Sequence, residues 1–150
     1  MKRAILLLMP ILSLANLPAI AVAETYLFKS GSTLLPACKK YVQLIDGAKD
    51  MSTSDAADGL ACESYVVGFN DGVRSALRIA AIKAYGLNKT IKWTQEERSA
   101  RLGNYCLPKD MQTSQAVRVV VRYMGAHPEN LHTQPFILVG NALRDAFPCK

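Results

Sequence analysis

Apolar residues recur every three or four positions in four stretches of the chain, and each stretch ends at Gly or Pro. This spacing is typical of helices that bury one face. It predicts helices over 33–46, 55–85, 113–124 and 134–147. A fifth, short and polar helix is predicted over 95–102, because TQEE at 94–97 has the pattern of a capping box. The sequence therefore predicts an all-α fold, a compact bundle of about four to five helices.

The second predicted helix carries two glycines, Gly68 and Gly72, one turn apart. Glycine costs a helix about 1 kcal/mol relative to alanine, so this pair suggests close approach of another helix, within the fold or across a dimer.

The starts and the apolar faces of the predicted helices can also be assigned. The candidate N-caps are Ser32 or Thr33, Ser54, and Thr133, with Pro36 and Pro135 in first turns. The apolar stripes comprise Cys38, Tyr41, Val42 and Ile45; Cys62, Val66, Phe69, Val73, Leu77 and Ala80; Val117, Val120, Val121 and Met124; and Phe136, Val139, Leu143 and Phe147.

The first 23 residues have the layout of a signal peptide. Lys2 and Arg3 precede an apolar run, and AVA at 21–23 puts small residues at the two positions that a signal peptidase requires. Two prolines, Ser13 and Asn16 interrupt the run, which argues against an uncleaved membrane anchor. We therefore expect cleavage after Ala23, with 24–150 as a single exported domain. Removal of the two basic residues lowers the formal net charge of +6 by two.

All four cysteines, Cys38, Cys62, Cys106 and Cys149, lie in the predicted mature chain. An even number of cysteines in an exported domain predicts two disulfides, and the absence of a C-x-x-C pair argues against a redox or zinc motif. Hairpins of the first two and last two helices would favour Cys38–Cys62 with Cys106–Cys149. Cys62–Cys106 with Cys38–Cys149 remains open, because sequence alone does not decide among the three possible connectivities.

Catalytic chemistry has little support in the sequence. His127 and His132 are the only histidines, and they share one loop with Glu129. A zinc site needs three or four protein ligands, and the cysteines are expected to be oxidised to disulfides. We therefore predict no metal site and no cofactor. The basic residues are scattered singly, which argues against nucleic-acid binding. Asp71 stands in an apolar helical stretch, where a buried acid needs a partner. It is interpreted as a structural acid rather than an interface carboxylate.

Several blocks, taken in order, resemble one family. These are CESYVVGFND at 62–71, CLP at 106–108, Gln115 with the helix at 117–123, HPENLH at 127–132, Ala142-Leu143 and AFPC at 146–149. They resemble the Rap/Tai-like family of type VI secretion amidase-immunity proteins over most of residues 34–149. The segment between Asp71 and Cys106 is longer here than in that pattern, with an insert at about 87–105.

The resemblance implies a helical, homodimeric protein of the Gram-negative periplasm that is not an enzyme. It would bind a peptidoglycan amidase toxin and occlude its active site. The expected contact residues are those of the 127–132 loop and of a basic strip, namely His127, Glu129, Asn130, His132, Arg118 and Arg122. The alternative is an orphan periplasmic binding or chaperone-like module without a cognate toxin. The 12 acidic residues of the chain, against 18 basic ones, fit an acid-triggered chaperone poorly.

Overall fold

The computed structural model describes residues 28–87 and 105–149. Within these ranges the chain forms α1 (Gly31–Ile45), α2 (Thr53–Leu87), α3 (Thr113–Ala126) and α4 (Pro135–Ala146), with a 3₁₀ turn at Pro128–Asn130 between the last two. No strand occurs in this part of the chain, so the all-α prediction is confirmed. The predicted signal peptide, the short helix at 95–102 and most of the insert lie outside the described residues.

The helix boundaries follow local capping groups. Ser30 caps α1, where its backbone N–H donates to Thr33 Oγ1 at 3.3 Å, and the Asp55 N–H donates to Ser52 Oγ at the start of α2 at 3.1 Å. Ser30 lies two or three residues before the predicted caps Ser32 and Thr33, and Ser52 lies two before Ser54. Pro36 therefore sits inside α1 rather than in its first turn. Gly47 ends α1 as expected, with a φ of 79° that suits glycine.

The core lies where the four helices meet, and no charged side chain among the described residues is buried in it. Each helix contributes through one face, which is what the three-to-four spacing predicts. The largest fully buried side chains are Leu34, Val66, Val117, Val120, Met124, Leu138, Val139 and Leu143.

α1 and α2 form an antiparallel pair with a very close contact. The Cys38–Cys62 disulfide joins them with a Cα–Cα distance of 5.1 Å, and both cysteines are fully buried. One turn away, a Cβ added at Gly59 would lie 2.8 Å from the Tyr41 backbone nitrogen. The two backbones can therefore approach this closely only because residue 59 has no side chain.

Polar side chains close the edges of the same contact. Lys40 Nζ lies 2.7 Å from Asp55 Oδ1 and 2.6 Å from Asp58 Oδ2, and Tyr41 donates its hydroxyl to Glu63 Oε1 at 2.9 Å. The Lys40 ammonium holds the pKa of Asp55 below its usual range, whereas burial raises the pKa of Tyr41. These links connect α1 to α2 in addition to the disulfide.

The second disulfide, Cys106–Cys149, has a Cα–Cα distance of 5.0 Å, and the Cys106 N–H donates to the Phe147 carbonyl at 2.9 Å. The favoured pairing is therefore confirmed, and the pairing of Cys38 with Cys149 is wrong. The bridged cysteines are 24 and 43 residues apart. The loop-entropy model assigns about 3.5 and about 4 kcal/mol of stabilisation to such bridges.

Among the described residues, no helix approaches Gly68 or Gly72 closely, so this part of the prediction is wrong for the residues 28–87 and 105–149. A Cβ at either position would meet nothing within 4 Å among the described residues, and both glycines are exposed. The close approach occurs at Gly59 instead, which the sequence pattern did not single out.

We predict opposite effects for two glycine substitutions in α2. Gly59→Ala should lower the free energy of unfolding by about 1–3 kcal/mol, because the new methyl group meets the α1 backbone. Gly72→Ala should raise it by about 0.5–1 kcal/mol, because alanine favours the helix and its methyl group meets open space. Urea unfolding of the oxidised protein measures both. Equal effects would contradict this account of the helix contact.

Candidate functional site

The chain between α3 and α4, residues 127–133, is called the cap loop here because it caps α1. The Leu131 carbonyl accepts hydrogen bonds from the Ser32 N–H at 2.9 Å and from Ser32 Oγ at 3.1 Å. The Thr133 carbonyl accepts the Gly31 N–H at 3.1 Å. The first amides of a helix have no partner within the helix. The cap loop therefore satisfies α1, and α1 in turn fixes the loop.

Gly31 allows this arrangement because it has no side chain. A Cβ at this position would overlap Leu138 Cδ1 and lie 3.1 Å from the Leu131 carbonyl oxygen. The start of α1 is thus wedged between the loop backbone and the first turns of α4. A side chain here would push against Leu138 and against the loop carbonyl that accepts the Ser32 N–H.

The exposed surface of the cap loop is organised around Glu129. Its carboxylate oxygen Oε1 lies 3.1 Å from His127 Nδ1 and 3.4 Å from the Asn130 amide nitrogen. Its backbone carbonyl lies 2.9 Å from His132 Nδ1, which must carry a hydrogen to donate to it. The backbone N–H of Glu129 and the His127 ring hold the pKa of the carboxyl below its usual range.

Two exposed apolar side chains follow the loop in the first turn of α4. Phe136 is 50% exposed and Ile137 is 42% exposed. The prediction that Phe136 belongs to the buried stripe is wrong, because α4 turns Leu138, Val139 and Leu143 inward instead. The unbroken apolar run at 135–139 was a usable signal, since one helix face cannot bury five consecutive residues.

The two arginines of the basic strip predicted on α3 differ in their contacts. Arg118 forms a salt bridge with Asp46 at the end of α1, and the guanidinium holds the pKa of that carboxyl below its usual range. Arg118 thus joins α3 to α1. Arg122 is exposed on the same helix.

Asp71 differs from its expectation. The sequence interpretation treated it as a buried acid, but it lies exposed on the surface of α2. Phe69 and Val73 of this stretch pack against the core, and the helical rotation carries Asp71 to the opposite side. The described residues therefore do not bury this carboxylate.

The described residues contain no cluster of three or more His, Cys, Asp or Glu side chains suited to a metal ion. None of the described helices is long and apolar enough to cross a membrane. An open cleft of about 390 Å³ lies between the start of α1 and α2, but Lys40 and Asp58 in its wall are paired with each other. A hydrogen-bonded surface loop flanked by exposed apolar side chains suits a protein-binding surface.

The described residues thus form a small helical protein with two disulfides and a hydrogen-bonded surface loop. A family model described as Rap1a immunity proteins matches residues 30–149, and the chain belongs to this family. Membership indicates an immunity protein that binds a secreted toxin. No curated protein and no solved structure matches the chain.

We predict that Gly31→Ala displaces the cap loop. The methyl group would contact the loop backbone, so the free energy of unfolding should fall by about 1–3 kcal/mol. The NMR signals of His127 and His132 should shift. Gly125→Ala is the control, because its methyl group would meet no atom within 4 Å among the described residues. Unchanged histidine signals in a destabilised Gly31→Ala protein would argue against coupling between loop and helix.

Proposed function

We propose that this protein neutralises a peptidoglycan amidase delivered by a type VI secretion system, by inserting its cap loop into the toxin's active site. The anchoring of the loop to the first amides of α1 carries this proposal. The family membership supports a toxin as the partner. The protein itself acts as an inhibitor rather than as an enzyme.

Anchoring matters because ordering a flexible loop on binding costs free energy and weakens the affinity of an inhibitor. Immobilising side chains and loops on binding costs free energy, and a preformed surface avoids that cost. Here three hydrogen bonds to α1 and the network around Glu129 hold the loop before any partner arrives. The loop is therefore suited to a rigid insertion.

The chemistry of the surface also fits a protein partner. Histidine, carboxylate and amide groups on the loop offer hydrogen bonds, whereas Phe136 and Ile137 offer an apolar anchor beside them. Strong protein interfaces combine a few buried apolar or aromatic anchors with polar groups around them. In this proposal Phe136 binds next to the toxin's active-site cleft and the loop enters it.

The proposed site of action is the periplasm. The signal-like segment 1–23 would direct export, and an oxidising compartment allows the two disulfides to form. We also propose that the protein is a homodimer, with the toxin bound away from the dimer interface. We further propose that the insert at 87–105 supplies a second contact surface for the toxin.

The direct test uses the full chain expressed with its own N-terminal segment and purified from the periplasm in its oxidised form. Mass spectrometry should give Glu24 as the first residue. The protein is then mixed with candidate type VI amidases of the same genome, and peptidoglycan hydrolysis is measured. Nanomolar binding that stops hydrolysis supports the proposal. A folded protein that binds none of the amidases would instead favour an orphan periplasmic binding or chaperone-like module.

The site itself is tested by substitution. Phe136→Ala and Glu129→Ala should each weaken toxin binding by about tenfold or more, because one removes the apolar anchor and the other the centre of the loop network. Ile45→Ala is the control, since Ile45 is 38% exposed at the far end of α1. Calorimetry gives the Kd values. Toxin binding that is lost only in the control would place the interface elsewhere.

A further inference from the structure

One face of α2 is exposed along most of the helix. Its residues lie at i, i+4, i+7, i+11, i+15, i+18 and i+22, which is the spacing of a single helical stripe. We call it the outer face, and it consists of Leu60, Ser64, Val67, Asp71, Ser75, Arg78 and Ile82, all of which are exposed. Three of these are large apolar residues, with exposed fractions of 49% for Leu60, 37% for Val67 and 71% for Ile82.

The outer face lies opposite the side of α2 that packs on the core. Val66 is fully buried, and Phe69 packs toward Gly140 of α4, where an added Cβ would lie 3.5 Å from its ring. Gly68, at the margin of the outer face, has nothing within 4 Å of a Cβ built on it. In the part of the chain that the structure describes, this face therefore has no covering element.

Charge is distributed along this face in a self-complementary way. Asp71 and Arg78 are two helical turns apart, and neither forms a salt bridge within the described residues. We propose that the outer face of α2 packs against the outer face of a second copy of this chain, with the two helices antiparallel. Asp71 of each copy then lies opposite Arg78 of the other, and Val67 lies opposite Ile82.

The charges also determine the register in which the two antiparallel α2 helices pair. A two-fold axis through Asp71 would place the two carboxylates against each other, which is unfavourable in any interface. Moving the axis to the point between Arg74 and Ser75 replaces that contact with two equivalent pairs of opposite charge. The same shift brings the exposed Val67 and Ile82 together twice. A symmetric, isologous interface requires this reciprocity.

This inference rests on the homodimer proposed above and does not depend on the identity of the toxin. It also explains why Asp71 is exposed in a single chain although it stands in an apolar stretch. α4 packs on the other side of α2, so pairing through the outer face leaves Phe136 accessible. Each copy in the dimer is then free to bind one toxin.

The test is a charge exchange, read by sedimentation equilibrium of the oxidised, periplasmically expressed protein. Asp71→Arg and Arg78→Asp should each weaken self-association by more than about tenfold, because each creates like-charge contacts across the axis. The double variant should restore the dimer. An equimolar mixture of the two single variants should form a heterodimer, because arginines of one copy then face aspartates of the other.

Arg144→Asp is the matched control, since Arg144 is an exposed arginine on α4 and should leave the dimer unchanged. Circular dichroism confirms that each variant is folded. A wild-type protein that is monomeric at about 100 µM, far above the Kd of a stable dimer, would overturn the homodimer and this interface together. A dimer that neither reversal weakens would overturn the interface alone. Toxin binding, measured separately, reports on the proposed function and not on this pairing.

Discussion

The close contact between α1 and α2 is the constraint from which the rest of the structure follows. At Gly59 the α2 backbone meets the α1 backbone without an intervening side chain, and one turn away Cys38–Cys62 joins the helices covalently. This contact sets the direction of α1. The direction of α1 determines where its unpaired amides point, and those amides hold the cap loop. The position of the candidate binding surface thus depends on a contact at the other end of α1.

The helical architecture could be predicted from the sequence because each helix shows its buried face as a three-to-four repeat of apolar residues. The favoured disulfide pairing also followed, since hairpin geometry brings the right cysteines level. Boundaries were less accurate, because several Ser and Thr residues near each start can serve as caps and only packing selects one. Phe136 was misplaced for a similar reason. A run of apolar residues does not reveal which of them the neighbouring helices cover.

The candidate site was predicted only in part. The loop containing His127 and His132 was identified, but two of the three hydrogen bonds that attach it to α1 join backbone carbonyls and amides, which leave no residue-type signature. Gly31 and the hydroxyl of Ser32 are the residue-type traces of that attachment, but glycine and serine are both common near helix starts because both serve as N-caps. For Asp71 the sequence did contain a signal, but that signal was misleading. Its apolar neighbours suggested burial, yet helical rotation exposes it, and the described residues form no salt bridge with it.

The capping of α1 by the loop makes ligand binding and helix fraying thermodynamically linked. The Gly31 and Ser32 amides are protected from solvent only while the loop occupies its place. A partner that binds the loop in this conformation also stabilises the first turn of α1, because it binds the closed state and not the open one. Binding at the surface is thereby transmitted through the loop backbone to a helix end that the partner never touches.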